Sequence, residues 1–188
     1  MTASRPVVFA ALLASLWPAV GCEEESACFG AGTLVATPTG AVPIERLQVG
    51  DRVWGFEADT GLSTAATVTH QHSTHAMTYE LVMGSRHVNV TANHPVYSLA
   101  HQDYIRADEL QAGDELLARP YKGDPSPCSV SATLVPVGRR RVYNITVEPT
   151  HNYFAGDVLV HNKTPFQDVA MPDETARDTT RDFSSDGP

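Results

Sequence analysis

Between residues 28 and 162, apolar and β-branched residues come in short runs separated by corners of Gly, Pro and Asp. The runs are "GTLVATPTGAVPI", "DRVWGFEADTG", "AATVTHQH", "TYELVMG", "HVNVTANHPVYSL", "ELLARPY", "ATLVPVG", "RVYNITV" and "NYFAGDVLVH". Runs of this length between turn residues predict strands, and their number predicts an all-β domain. No stretch sustains a helical period; "IERL" and "ADEL" predict single turns only. One unit occurs twice. "IERLQVGDRVWGF" matches "RADELQAGDELLARP", each with a short turn ending in Leu, then a Gly-Asp corner, then a strand. Gly50 and Gly113 are expected to hold backbone conformations that other residues resist, and Asp51 and Asp114 to bond the turn backbone. Two copies are too few for a solenoid and predict two pseudo-symmetric halves.

The pattern stops abruptly at both ends. "VLVHNKT" runs from three apolar residues straight into His161, Asn162 and Lys163. Beyond it, residues 163–188 are polar and acidic, the composition of a disordered tail. At the other end, Arg5 precedes the apolar run "PVVFAALLASLWPAV", which is of signal-peptide length and closes in "AVGC". Residues 1–22 therefore read as a lipoprotein-type signal peptide with Cys22 as the lipidated residue. An ordinary secretory signal, with Cys22 an unmodified thiol, is the alternative. Residues 23–27 form an acidic spacer, and the folded unit spans 28–162. The expected location is the bacterial cell envelope, exported and held to the membrane through the Cys22 lipid.

The chain has 188 residues, 42% of them hydrophobic, enough for one core. Its formal net charge of −9 argues against nucleic acid as a partner. Three cysteines make an odd count, so a simple disulfide framework is not expected.

A folded unit bounded by a thiol and a carboxamide has a chemical reading. The Cys28 thiolate can attack the carbonyl of Ala27 through a five-membered ring, giving a thioester and a free amine. A neutral thiol is a poor nucleophile, and the departing nitrogen needs a proton, so a histidine is required nearby. The Asn162 side-chain nitrogen can attack its own carbonyl, again through a five-membered ring. That closes a succinimide and breaks the bond to Lys163; ring closure supplies the proximity. His161 stands beside it and could polarise the carbonyl or protonate the leaving amine.

These motifs, in this order, resemble the Hint domain, the fold shared by inteins, Hedgehog autoprocessing domains and bacterial intein-like domains. "CFGAGTLVATPTGAVPIERLQVGDRV" is similar to the N-terminal intein block, with Cys28 as nucleophile. "VTANHPVY" is similar to the block in which Thr91 and His94 activate the first scissile bond. "VYNITVEPTHNYFAGDVLVHN" is similar to the C-terminal blocks, with His151 in support and His161–Asn162 as the cyclising pair. The resemblance implies a β horseshoe of two pseudo-symmetric halves. It also implies a monomer that uses its own flanking segments as substrate and needs no cofactor. Thr91 is expected to bond the oxyanion or His94. The role of His151 is open between direct participation and orienting backbone.

Two positions depart from that pattern. Lys163 stands where splicing inteins have Cys, Ser or Thr, and Thr164 is one residue too far, so cleavage is expected in place of splicing. Asn144 occupies a position where many inteins carry an acidic residue or Cys. Three other motifs stand outside the resemblance. "HQHSTH" puts His70 and His72 on one face of a strand, a pattern compatible with a metal pair; solvated surface is the plainer reading, and no metal site is expected. "GRRRV" reads as a solvated loop, and Cys128 in "GDPSPCSVS" as a loop residue, open between a free thiol and an oxidative partner of Cys28. Two readings compete with self-cleavage: a catalytically idle Hint-like surface binding module, and a histidine-based metal-binding lipoprotein.

Overall fold

The computed structural model describes residues 26–119 and 124–162. The signal peptide with Cys22, the first three spacer residues and the acidic tail lie outside the described residues. The described chain is built of strands and two single 3-10 turns, with no α-helix. The expected all-β class is therefore what is found.

Five strands make one sheet: β1 (Phe29–Gly30), β4 (Arg52–Glu57), β5 (Leu62–Met83), β6 (Arg86–Val90) and β11 (Ala132–Glu148), in the order β11-β1-β6-β5-β4. Eight make the other: β2 (Leu34–Thr37), β3 (Gly40–Pro43), β7 (Pro95–Ser98), β8 (Asp103–Arg106), β9 (Glu115–Ala118), β10 (Ser126–Ser129), β12 (Asn152–Ala155) and β13 (Val158–His161). Their order is β10-β9-β7-β13-β12-β2-β3, with β8 on β7.

Strand β5 joins what the pattern divides into two runs, and it pairs with β11 along most of its length. This corrects two loop expectations. "GRRRV" lies within β11, with Arg139, Arg140 and Arg141 opposite Met77, Ala76 and His75. Cys128 lies in β10, opposite Leu116 of β9. The reason is the same in both cases. A strand needs backbone partners more than apolar side chains, and polar composition alone does not make a loop.

The repeated unit is one structure built twice. The two 3-10 turns are Ile44–Arg46 and Ala107–Glu109. After each, an aspartate closes the corner: Gln48 N–H donates to Asp51 Oδ2 and Gln111 N–H to Asp114 Oδ2, both at 2.8 Å. Gly50 and Gly113 sit at φ +98° and +100° and donate to the carbonyls of Val68 and Val130. The expected glycine and aspartate roles hold in both halves.

The core sits between the sheets. A large apolar cluster includes Phe29, Ile44, Leu81, Ile145, Tyr153, Val158 and Val160; a smaller one holds Ala36, Leu117, Phe154 and Leu159. Strand alternation distributes β13 between the two, with Val158 and Val160 in the first and Leu159 in the second. That strand is buried on both faces, which is why it reads as a continuous apolar run. The same alternation explains why an imidazole and a carboxamide can follow each other. His161 falls on the Leu159 side, against the ring of Tyr104. Asn162 falls on the opposite side and is fully buried.

A side chain at φ near +100° is strained by about 1–2 kcal/mol. Gly50→Ala and Gly113→Ala are each expected to lower stability by about that much and by similar amounts, because the corners are twins. The denaturation midpoint should fall at unchanged m-value. A neutral Gly113→Ala beside a costly Gly50→Ala would contradict the equivalence of the halves.

Candidate functional site

The N-terminal end of the described chain is drawn into the protein before the first strand begins. Ala27 and Cys28 are both buried. Two hydrogen bonds join Cys28 to Thr91. The Cys28 N–H donates to Thr91 Oγ1 at 2.9 Å, and the Thr91 N–H donates to the Cys28 carbonyl at 3.0 Å. The first bond corrects an expectation. The Thr91 hydroxyl accepts from the nitrogen of the Ala27–Cys28 peptide and does not face its oxygen. A hydroxyl so close to that nitrogen can follow it as it turns from amide into amine.

The oxygen of that peptide has a different partner. Asn144 Nδ2 donates to the Ala27 carbonyl at 2.8 Å. Asn144 is in turn held by its other end, where Oδ1 accepts from the Ile145 N–H at 2.8 Å and from the Tyr153 hydroxyl at 2.9 Å. The sequence marks Asn144 only as a departure from the intein pattern. Tyr153 is missed, because alternation along "NYFAGDVLVH" makes it one more core aromatic.

His94 closes a tight turn, its N–H donating to the Thr91 carbonyl at 3.2 Å, and its own carbonyl accepts from Ala107. The ring is fully buried and packs on Phe29 with centroids 4.2 Å apart. Neither ring nitrogen has a hydrogen-bond partner among the described residues. Burial, with a smaller contribution from His161, pushes its pKa down to about 3. At neutral pH the ring is therefore an uncharged base, and any proton it delivers must first be collected within the site.

The C-terminal end comes to the same place. Val160 pairs with Val96 across β13 and β7. The Asn162 N–H donates to the carbonyl of His151 at 2.9 Å. His161 Nδ1 lies 2.6 Å from the Asn162 carbonyl oxygen. A carbonyl only accepts, so Nδ1 carries the proton, and the imidazole polarises the carbonyl that cyclisation would attack. Of the two roles open to His161, this geometry is that of the carbonyl donor. Burial lowers the His161 pKa, and the hydrogen bond with Asn162 opposes the shift. Both polar atoms of the Asn162 side chain are buried and unpartnered among the described residues. Among the described residues, its nitrogen is thus uncommitted to any other bond.

His151 sits at φ +54°, with Nε2 3.3 Å from Glu148 Oε2. Its main-chain carbonyl holds Asn162, which is the backbone-orienting role. The six sequence-selected residues thus gather around one locus, with Cys28, Thr91 and His94 at one side and His151, His161 and Asn162 at the other. His70, His72 and His75 do not join them; they lie on β5, all three open to solvent. Among the described residues, no group of three or more His, Cys, Asp or Glu is arranged to hold a metal ion. Cys128 is also elsewhere, its sulfur 3.5 Å from Arg86.

Comparison with known proteins identifies the family and the fold. Residues 34–163 match the family described as the Pretoxin HINT domain. Among solved structures, the chain is similar to a bacterial intein-like domain from Clostridium thermocellum. The two are 30% identical, with a TM-score of 0.64, covering 72% of this chain and 98% of that one. It is also similar to a DnaB intein from Synechocystis, at 25% identity and TM-score 0.67, covering 74% of this chain and 100% of that one. The DnaX mini intein from Spirulina platensis shares the fold at 20% identity and TM-score 0.63, covering 72% of this chain and 99% of that one. No curated protein matches the chain significantly.

The buried histidine makes stability depend on pH. In the unfolded chain His94 has the ordinary pKa of 6.5; in the folded chain it is about 3. Between those values the unfolded state binds more protons, so stability is full above 6.5 and falls as pH falls toward 3. The slope from this one group approaches about 1.4 kcal/mol per pH unit. His94→Gln should lose that component. Denaturant titrations of both proteins at pH 7, 5 and 4 check it, and equal pH slopes would contradict the assignment of a buried neutral ring.

Proposed function

The chain belongs to the pretoxin Hint domain family, and on that premise we propose that it is an exported, lipid-anchored domain that acts once, on its own backbone, at two bonds. In the first reaction the Cys28 thiol gives its proton to His94 as Sγ bonds to the Ala27 carbonyl carbon. The C–N bond then breaks, the proton passes to the Cys28 nitrogen, and a thioester remains on Sγ. Water or a small thiol discharges it. In the second reaction Asn162 Nδ2 bonds to its own carbonyl carbon, and the bond to Lys163 breaks. The domain then ends in a succinimide, and Lys163 becomes a free amine.

The observation that carries this reading is that Cys28, bonded to Thr91 of the turn that His94 closes, and Asn162, next to the His161 that acts electrostatically on His94, come from opposite ends of the described chain. Cys28, His94 and Asn162 are fully buried. The likeness to a bacterial intein-like domain and to inteins supports action on flanking segments. Lys163 supports cleavage over splicing, because it offers no hydroxyl or thiol to receive the acyl group. With the lipid on Cys22, every covalent link from membrane to domain passes through the Ala27–Cys28 bond. Opening that bond would shed the domain and leave a lipidated stub.

Intact-mass spectra of residues 23–188 over time are expected to show slow loss of the segment beginning at Lys163. Asn162→Ala should abolish that loss and His161→Ala should slow it. The same fragment appearing from Asn162→Ala would assign the cut to a protease.

Dithiothreitol or hydroxylamine should accelerate cleavage between Ala27 and Cys28, and Cys28→Ala should block it. In membrane fractionation of the full chain, reductant should move the wild type to the soluble fraction with Cys28 as its new N-terminus. Wild type and Cys28→Ala partitioning alike would refute shedding.

A further inference from the structure

The Ala27 carbonyl is the atom on which negative charge would develop in the first reaction. It lies in a buried environment, where a fixed hydrogen-bond donor acts more strongly than in water. That donor is Asn144 Nδ2, at 2.8 Å. An amide side chain can present either end, so what faces Ala27 depends on what holds the other end. Here there is no ambiguity. The Ile145 N–H can only donate, and it donates to Asn144 Oδ1. The Tyr153 hydroxyl occupies the second lone-pair position of the same oxygen. With Oδ1 fixed by two donors, Nδ2 is turned toward the Ala27 oxygen.

Tyr153 could have been a core aromatic and nothing more. Its ring is fully buried in the main cluster, and phenylalanine would fill the same apolar volume. The hydroxyl costs desolvation and is justified by the bond it makes. Burial, with an added contribution from the nearby Cys28, raises its pKa well beyond the ordinary tyrosine value. The hydroxyl therefore remains a proton donor at every pH at which the protein would work. By donating to Oδ1 it draws charge through the amide and makes Nδ2–H a better donor.

We propose that Asn144 is the oxyanion donor of the first cleavage and that Tyr153 is its positioning residue, acting on the Ala27 carbonyl through the Asn144 amide. The pair rests on the self-cleavage reading for its reaction but not for its geometry. It serves the Ala27–Cys28 bond alone, since the Asn162 carbonyl is held by His161. Asn144 has no titratable proton, so this assistance does not depend on pH.

The test uses residues 23–188 and two readouts. The first is the rate of dithiothreitol-dependent cleavage at Ala27–Cys28, with release of the segment from Lys163 as the reference within each sample. Loss of an oxyanion donor is expected to slow the first cut about a hundredfold in Asn144→Ala. Loss of one supporting hydrogen bond should slow it about tenfold in Tyr153→Phe. The second cut should stay within about twofold in both, which general misfolding would not allow. The second readout is the Ala27 carbonyl resonance, recorded before reductant is added. Of the cysteines, only Cys28 follows an alanine, so carbonyl-13C alanine with 15N cysteine marks one peptide in the chain. Its carbonyl should move upfield in Tyr153→Phe and further in Asn144→Ala.

An unmoved resonance in Tyr153→Phe, or equal slowing of both cuts, overturns the proposal. A wild type that never cuts at Ala27 overturns the first step of the proposed function instead. The carbonyl shifts then still decide whether Asn144 and Tyr153 polarise that peptide.

Discussion

The two hydrogen bonds between Cys28 and Thr91 are the constraint on which the rest of the site depends. They fasten the start of the folded chain to its middle without the help of a long ladder, because β1 contributes only Phe29 and Gly30. Such a short strand carries little pairing energy of its own. Its place between β6 and β11 is held by Phe29 in the core and by this clamp. Were the clamp absent, the Ala27 carbonyl would lose its register with Asn144, and the Cys28 thiol its place beside Tyr153.

The site is buried, and burial has two opposite effects. It leaves His94 and the Asn162 carboxamide without partners among the described residues, and such groups each cost about 1–3 kcal/mol. It also keeps His94 uncharged and strengthens the two hydrogen bonds aimed at peptide carbonyls, from Asn144 and from His161. His94 and the Asn162 carboxamide, both without partners among the described residues, are the groups assigned to move a proton and to attack a carbonyl. Asn144, bonded at both ends of its amide, is assigned to hold still.

Strands and corners are legible in the sequence because their signals are local. The Gly-Asp corners advertise their backbone through residue type alone, and the apolar run of β13 advertises burial on both faces. Cys28, Thr91, His94, His161 and Asn162 stand out through the order of motifs. What escapes such a reading depends on contacts across long stretches of sequence. The motif points Thr91 at the oxygen or at His94, yet its hydroxyl is found at the nitrogen, because the clamp decides which atom it meets. Tyr153 reads as packing because its apolar ring and its hydroxyl do different jobs and only the ring has periodicity. The arginines of β11 read as a loop because pairing with β5 needs no apolar side chain.

Ala27 is itself part of the packed interior, with 5% of its surface exposed. The residue before the thiol is thus a component of the fold as much as a passenger on it. If the domain were transplanted behind another polypeptide, the last residue of that polypeptide would have to fit the space of a methyl group. A large residue there would pry apart Cys28 and Thr91. The domain would be portable only behind sequences that end small, as its own does in Ala27.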